Sequence, residues 1–267
     1  MTATVLVDST TMLRRSVRRL RRYPSMTAFI VAIPVVLLLL FVFVFGGTMG
    51  AGLGMPHAST AGRDLYLAYI VPGVLLLTVA GVGQGLAISV SMDMTQGIIA
   101  RFRTMAVARA SVLAGHVLGA ILQSLIAVAI VLCVAVAIGF RPTTGPLAWL
   151  AAGGILVLTA LAVSWLSAAM GMAAGSVETA SNTPMVFTLL VFLSSAFVPP
   201  DTMPGPLAWF AAHQPFTPIA ETVRGLLLGT PIGDSAIAAV AWCVVISAVG
   251  YGWALRTYER LPARAGA

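Results

Sequence analysis

The strongest constraint on this chain is the length of its uncharged apolar stretches. Residues 26–62 and 111–140 contain no Asp, Glu, Arg or Lys. Each stretch exceeds the roughly 20 residues that a helix needs to cross about 30 Å of hydrocarbon. Charged residues make up 9% of the 267 positions, whereas a soluble domain carries about 25%. The sequence therefore predicts an all-α polytopic membrane protein rather than a soluble fold.

The positions of the basic residues predict the orientation of the chain. All fifteen basic residues are arginine. With the N-terminus in the cytoplasm, all of them except Arg63, Arg141 and Arg224 fall on inner segments, as the positive-inside rule requires. Both termini are therefore expected to be cytoplasmic. The prediction is a single domain of residues 1–267 with six transmembrane helices at about 27–47, 68–92, 111–139, 148–175, 183–198 and 235–255.

The N-terminal residues 1–26 are predicted to contain an amphipathic interfacial helix. Leu13, Val17 and Leu20 recur at helical spacing, and arginines occupy the rest of the surface. Such an elbow helix lies in the headgroup layer, with its guanidinium groups near lipid phosphates. A disordered basic tail that only fixes the orientation is the alternative.

Residues 199–234 have a different character from the spans. The fifth predicted span has only about 16 residues before Pro199, which is roughly 24 Å of helix and short for a crossing. Prolines then divide the chain into two short apolar pieces, the first of which carries Trp209 and Phe210. Such pieces are typical of an outer re-entrant helical hairpin, in which protein or water satisfies the backbone.

Enzymatic, metal and nucleotide sites are not expected. His57, His116 and His213 are far apart in the sequence and lack metal-ligand spacing. Ser194 and Ser195 lack the Gly-x-Ser-x-Gly context of a nucleophile. The phosphate-binding loop requires a lysine, and the chain has none. We therefore expect a non-enzymatic chain that binds no metal, cofactor or nucleic acid, since its arginines flank apolar spans despite a net charge of +7.

The acidic residues argue against ion-driven transport. Secondary transporters place ionisable residues at mid-membrane. All eight acids of this chain fall in predicted loops or at span ends. Energy for transport is therefore expected to come from another subunit.

The cytoplasmic loop of residues 93–110 is the best candidate for binding that subunit. Ile98, Ile99, Phe102 and Met105 form one apolar stripe at helical spacing, with Arg101 beside it. An amphipathic helix here could dock in a groove of a partner and transmit its motion to two spans. A helix lying on the lipid surface is the alternative.

Three segments carry a resemblance to a known family. They are QGIIARFRTMAVAR at residues 96–109, SSAFVPP at residues 194–200 and QPFTPIAETVRG at residues 214–225. These segments, in this order among the spans, resemble type-2 ABC exporter permeases, especially the daunorubicin-resistance group. Many members have an acid just before the first arginine of the first segment, where this chain has Ala100.

The resemblance implies a bacterial plasma-membrane permease that pairs with a second copy or a paralogue. An ABC ATPase subunit would bind ATP and magnesium and dock on the coupling loop, and the outer hairpin would act as a gate. The exported substrate would be an amphiphilic small molecule, such as a drug or antibiotic; alternatives are a lipid or polysaccharide exporter, or a membrane anchor that transports nothing. The expected coupling residues are Gly97, Ile98, Ile99, Arg101, Phe102, Arg103 and Met105; the outer-gate residues are Glu221 and Arg224; the residues of the substrate pathway, drawn from spans two and five, are Gln84, Ser91 and Ser194.

Overall fold

The computed structural model describes residues 24–46, 60–96 and 109–260, and the regular structure in these segments is entirely helical. This confirms the prediction of an all-helical protein. The helices are α1 (Pro24–Leu40, continued by a π-helical turn at Phe41–Phe45), α2 (Thr60–Thr95), α3 (Arg109–Ala137), α4 (Pro146–Ala173), α5 (Val177–Asn182), α6 (Met185–Phe192), α7 (Gly205–His213), α8 (Phe216–Leu228) and α9 (Ser235–Arg260). A 3₁₀ turn at Pro200–Thr202 precedes α7.

Five of the described helices are long and apolar enough to cross a membrane: α1, α2, α3, α4 and α9. Helix α2 is central, because it packs against α1, α3, α4, α5, α6 and α8. Of the apolar stretch of α2 that could cross a membrane, 78% is buried inside the protein, whereas the corresponding share for α9 is 17%. Helix α9 exposes Ile237, Val244 and Val249, as expected of a helix whose outer face meets lipid rather than water.

Small residues let the central helices approach closely. A Cβ on Gly171 of α4 would lie 2.5 Å from the Ala87 carbonyl oxygen of α2, and one on Gly250 of α9 would lie 2.6 Å from the Leu166 nitrogen of α4. Close backbone contact at small residues is typical of membrane helix pairs, because lipid supplies no hydrophobic force to drive larger side chains together.

The same contacts give the relative directions of these helices. Gly83 faces Val163, and Gly171 faces Ala87, so α2 and α4 run parallel. Thr159 Oγ1 lies 3.7 Å from Cys243 Sγ, and Gly250 meets Leu166 about two turns further along both helices, so α9 also runs parallel to α4. The chain must therefore return from one end of the bundle to the other between α4 and α9.

The fifth predicted span, residues 183–198, is not a continuous helix of membrane-spanning length. Pro184 separates α5 from α6, and α6 has 8 residues, or about 12 Å. Proline lacks the N–H that would continue the helical ladder. At the other end, Ser194 Oγ donates to the Val191 carbonyl oxygen at 2.6 Å, where the helix stops. The structure therefore has the short helix α6 within residues 183–198, and it does not confirm a fifth span made of one long helix.

Helix α2 is longer than its predicted span of residues 68–92. It begins at Thr60 and therefore includes Arg63 and Asp64, which the sequence had placed in an outer loop. Arg63 Nη2 lies 3.7 Å from Asp64 Oδ1. A helix can continue beyond the hydrocarbon layer when its charged side chains reach water, which hydropathy alone does not reveal.

Residues 199–234 contain two short helices, α7 and α8. Helix α8 packs against α2, α4, α6, α7 and α9. It ends at Gly229, whose φ of 72° is the left-handed conformation that glycine adopts readily. Thr143 Oγ1 in the loop between α3 and α4 donates to the Leu228 carbonyl oxygen at 2.8 Å. Helix α8 therefore lies at the same end of the bundle as that loop.

The predicted elbow helix of residues 1–26, apart from the start of α1, lies outside the described residues, and so does most of the coupling loop of residues 93–110.

Candidate functional site

A cavity of about 640 Å³ lies between α1, α2 and α6. Its volume is in the range of pockets that hold drug-sized molecules. Its lining residues are Phe29, Ile30, Ile33, Pro34 and Leu37 of α1, Leu77, Gly81, Gln84, Gly85 and Ile88 of α2, and Met185 and Thr188 of α6.

The chemistry of the lining is apolar with two neutral polar side chains. Those are Gln84 and Thr188, and no lining residue is charged. Gln84 Nε2 donates to the Ser181 carbonyl oxygen of α5 at 2.7 Å, which fixes the amide at the wall. Gly81 leaves space in the cavity between α1 and α2, because the only atom within 4 Å of a Cβ there would be Ile30 Cγ2, at 3.9 Å. Such a cavity suits a largely apolar ligand with few hydrogen-bonding groups.

The structure brings one of the three predicted pathway residues to this cavity. Gln84 lines it, whereas Ser91 and Ser194 do not. Both serines are buried. Ser194 Oγ, besides donating to Val191, accepts from the Ala196 backbone N–H at 3.1 Å, so it caps the end of α6.

The end of the bundle that the sequence predicts to be outer contains a second arrangement, which we call the outer clasp: Tyr69, Ser195 and Arg224. Arg224 Nη2 donates to the Ser195 carbonyl oxygen at 2.8 Å and to the Tyr69 carbonyl oxygen at 3.2 Å. Its guanidinium carbon lies 3.9 Å from the centroid of the Tyr69 ring, a cation–π contact. Tyr69 Oη donates to the same Ser195 oxygen at 2.8 Å. The clasp thus joins α8 to α2 and to the chain after α6.

A proline lies close to the α2 carbonyl that the clasp binds. Pro72 lies inside α2. It has no N–H to donate to the Ala68 carbonyl, and its ring crowds the preceding turn, which also contains Tyr69. Arg224, with its five N–H donors, binds a carbonyl of this turn and another beyond the end of α6.

The two predicted gate residues bind different neighbours. Glu221 Oε2 accepts from Ser235 Oγ at 2.8 Å, which ties α8 to the first residue of α9. In the described part of the chain, the pairs of basic and acidic side chains within 4.0 Å are Arg63–Asp64 and His116–Asp93. Glu221 and Arg224 therefore connect α8 to two sides of the bundle rather than to each other.

Sequence reasoning missed a buried contact between α2 and α3. His116 Nε2 lies 3.2 Å from Asp93 Oδ2, with side-chain exposures of 16% and 9%. The sequence analysis considered His116 only when it rejected a metal site, and it did not pair His116 with Asp93. An acid near the end of one span and a histidine near the start of the next were the available signal.

The coupling residues predicted within 97–105 lie outside the described residues. Their flanking helices are described. Helix α2 ends at Thr95, α3 begins at Arg109, and the two helices pack against each other. The two ends of the loop are therefore held together by one helix pair.

Comparison with known proteins places the chain in a family. A sequence model described as ABC-2 type transporter matches residues 9–228. The daunorubicin resistance ABC transporter permease protein DrrB1 of Streptomyces coeruleorubidus is 31% identical over 229 residues, or 85% of this chain and 77% of that protein. The probable doxorubicin resistance ABC transporter permease protein DrrC of Mycobacterium tuberculosis is 25% identical over 224 residues, or 81% of this chain and 79% of that protein.

The family match extends over α1 to α8, the helices that form the cavity and the outer clasp. It agrees with the helical structure and with the five helices that could cross a membrane in the described residues. The chain belongs to the ABC-2 type transporter family, the membrane permease component of ABC transporters.

Proposed function

We propose that this chain is the permease subunit of an ATP-driven exporter that moves amphiphilic small molecules, such as drugs or antibiotics, out of a bacterial cell. The observation that carries the proposal is the apolar cavity of about 640 Å³ between α1, α2 and α6 in a member of this family. The names of the relatives, which refer to daunorubicin and doxorubicin resistance, support a substrate of that size and polarity.

The position of the cavity supports entry from the inner side. With the N-terminus in the cytoplasm, the C-terminal ends of α2 and α4 lie at the inner face. Gly171, two residues before the end of α4, faces Ala87, and the lining residues Gln84 and Ile88 bracket Ala87. The cavity therefore reaches the inner part of the bundle, where an amphiphile partitioned into the inner leaflet would meet it.

Energy would come from a separate ABC ATPase subunit, which would bind ATP and magnesium and dock on the coupling segment that includes Gly97, Phe102 and Arg103. Two permease chains, either identical or paralogous, would pair so that two ATPase subunits close on each other. The support is the family membership and the absence of lysine, which the phosphate-binding loop requires.

The outer segment of residues 199–234 would act as the gate. The outer clasp and the Glu221–Ser235 hydrogen bond hold α8 against α2 and α9. Opening the outer side would require these contacts to break together. Opening would also require the apolar face of α8 to move or repack, since Phe216, Ile219 and Val223 lie in the core, and ATP binding and hydrolysis in the partner would supply the required energy.

The docking of an ATPase is tested by purification of the tagged chain from native membranes. We expect an ABC ATPase to copurify, and we expect the double variant Arg101→Ala/Phe102→Ala to lose substrate-stimulated ATP hydrolysis while the chain still folds. A chain that purifies alone, without ATP hydrolysis, would favour the role of a membrane anchor.

The substrate cavity is tested by filling it. Gly81→Leu places four carbon atoms in the space between α1 and α2 and is expected to reduce export of daunorubicin at least about tenfold, the effect expected when a pocket loses room for its ligand. The matched control is Gly154→Leu on α4, where a Cβ would meet nothing within 4 Å. Equal export by the two variants would show that the substrate does not pass through the cavity.

A further inference from the structure

The contact between Asp93 and His116 lies beyond the inner end of α4. Gly171, two residues before the end of α4, faces Ala87. Asp93 is about 9 Å further along α2 at 1.5 Å per residue. Helices α2 and α3 thus extend together past their neighbour α4. Asp93 and His116 join α2 to α3 within this extension, a few residues from where the described part of α2 ends.

The pair is shielded from water although it lies at the end of the bundle. The side chain of Asp93 is 9% exposed and that of His116 is 16% exposed. One turn before each residue, Val90 and Leu113 are fully buried. A polar contact in such surroundings costs more to lose than an exposed one, because little water is present to replace it.

We propose that Asp93 and His116 are positioning residues that make the ends of α2 and α3 move as one unit when the loop between them is displaced. This rests on the proposed function, in which an ATPase docks on that loop. Without a link at this level, a push on the loop could separate the two helix ends locally. With it, the same push tilts α2, which forms one wall of the cavity.

The contacting atom permits an atom-specific test. The nitrogen that meets Asp93 Oδ2 is His116 Nε2. A glutamine amide nitrogen reaches about as far as Nε2, whereas an asparagine amide reaches only to the position of Nδ1. His116→Gln should therefore keep the link, and His116→Asn and His116→Ala should lose it. A general packing role would not separate Gln from Asn in this way.

The readout is the motion of the cavity in the purified complex with its ATPase. A single cysteine at Thr188, in a background with Cys133 and Cys243 replaced by alanine, reports cavity exposure through its rate of maleimide labelling with and without ATP and vanadate. We expect ATP to change this rate in the complex with His116 intact and in His116→Gln. In His116→Asn and His116→Ala the change should shrink by about tenfold, the order of magnitude by which loss of a shielded polar contact changes an equilibrium constant. ATPase binding should stay normal.

Two results would overturn the proposal. One is an ATP-dependent labelling change that is equal in all His116 variants, or missing even with His116 intact, in a complex that contains the ATPase. The other is loss of folding or of ATPase binding in His116→Asn and His116→Ala, which would assign the pair to stability alone. If no ATPase copurifies with the unmodified chain, the proposed function falls first and this inference with it.

Discussion

At the scale of single residues, Arg224 binds backbone carbonyls at two interruptions of regular helix. One is the Tyr69 carbonyl in the turn before Pro72, and the other is the Ser195 carbonyl after the end of α6. The planar guanidinium also stacks on the Tyr69 ring. A lysine would keep the charge, but it has neither the planar fork nor the same stacking surface.

Arg224→Lys is therefore expected to destabilise the purified protein by about 2 kcal/mol, the value of hydrogen bonds from a charged group, and to lower Tm by roughly 5 °C. Tyr69→Phe removes only the hydroxyl bond to the Ser195 oxygen and should cost less. The double variant should lose less free energy of unfolding than the sum of the two single losses, because both side chains bind the Ser195 carbonyl oxygen. Thermal unfolding in detergent measures all three variants. An unchanged Tm for Arg224→Lys would show that positive charge alone accounts for the stabilisation.

At the scale of helices, close packing against α2 depends on the absence of side chains. A Cβ on Gly171 would lie 2.5 Å from the Ala87 carbonyl oxygen and 2.9 Å from Ala87 Cα. These are backbone atoms of a helix buried on several sides, so they cannot move aside as a flexible side chain could.

Gly171→Ala should consequently force α4 away from α2 and cost about 1–3 kcal/mol, the usual range for overpacking. The matched control is Gly153→Ala on the same helix, where a Cβ would meet nothing within 4 Å. That change should be neutral or should stabilise by up to about 1 kcal/mol through helix propensity. Thermal unfolding of the two variants measures the difference; the close-packing explanation fails if both have the same Tm.

At the scale of the whole molecule, the number of membrane crossings depends on the path between α4 and α9. Because these helices are parallel, residues 174–234 must carry the chain back through the bundle. Ser181 contacts Gln84, and Ala196 lies against Gly73 of the same helix. The broken segment α5–α6 therefore advances along α2 toward the N-terminal end of that helix, which supports the proposal of a sixth crossing made without a long helix.

This path predicts the sides of the membrane on which loop residues lie. Glu178 is exposed, and its pKa is lowered because its own backbone N–H and the Ser176 hydroxyl bind its carboxylate. Single cysteines at Glu178 and Glu259 should react with an impermeant maleimide only after the cells are permeabilised, whereas cysteines at Asp201 and Thr230 should react in intact cells. All four positions are exposed. Labelling of Glu178 and Asp201 from the same side would mean five crossings.

The sequence by itself determined that this protein lies in a lipid bilayer, that it is helical and to which family it belongs. Long uncharged runs leave the backbone no option in lipid except helices that satisfy their own hydrogen bonds, so α1 to α4 and α9 follow from local composition. It also identified Gln84 and Arg224 as polar residues in apolar surroundings. It could not distinguish Gln84, at a cavity wall, from Ser194, which caps α6, because polarity does not reveal which neighbour a side chain meets.

Only the tertiary structure decided the contacts that depend on residues distant in the chain. The cavity between α1, α2 and α6, the outer clasp and the Asp93–His116 pair all require particular helices to lie side by side. Close contacts at Gly83, Gly171 and Gly250 bring α2, α4 and α9 together, and the contact of Gly73 with Ala196 places the chain after α6 against α2. In lipid, apolar side chains gain little by leaving their surroundings, so packing shape and hydrogen bonds, rather than hydrophobicity, select which helices meet.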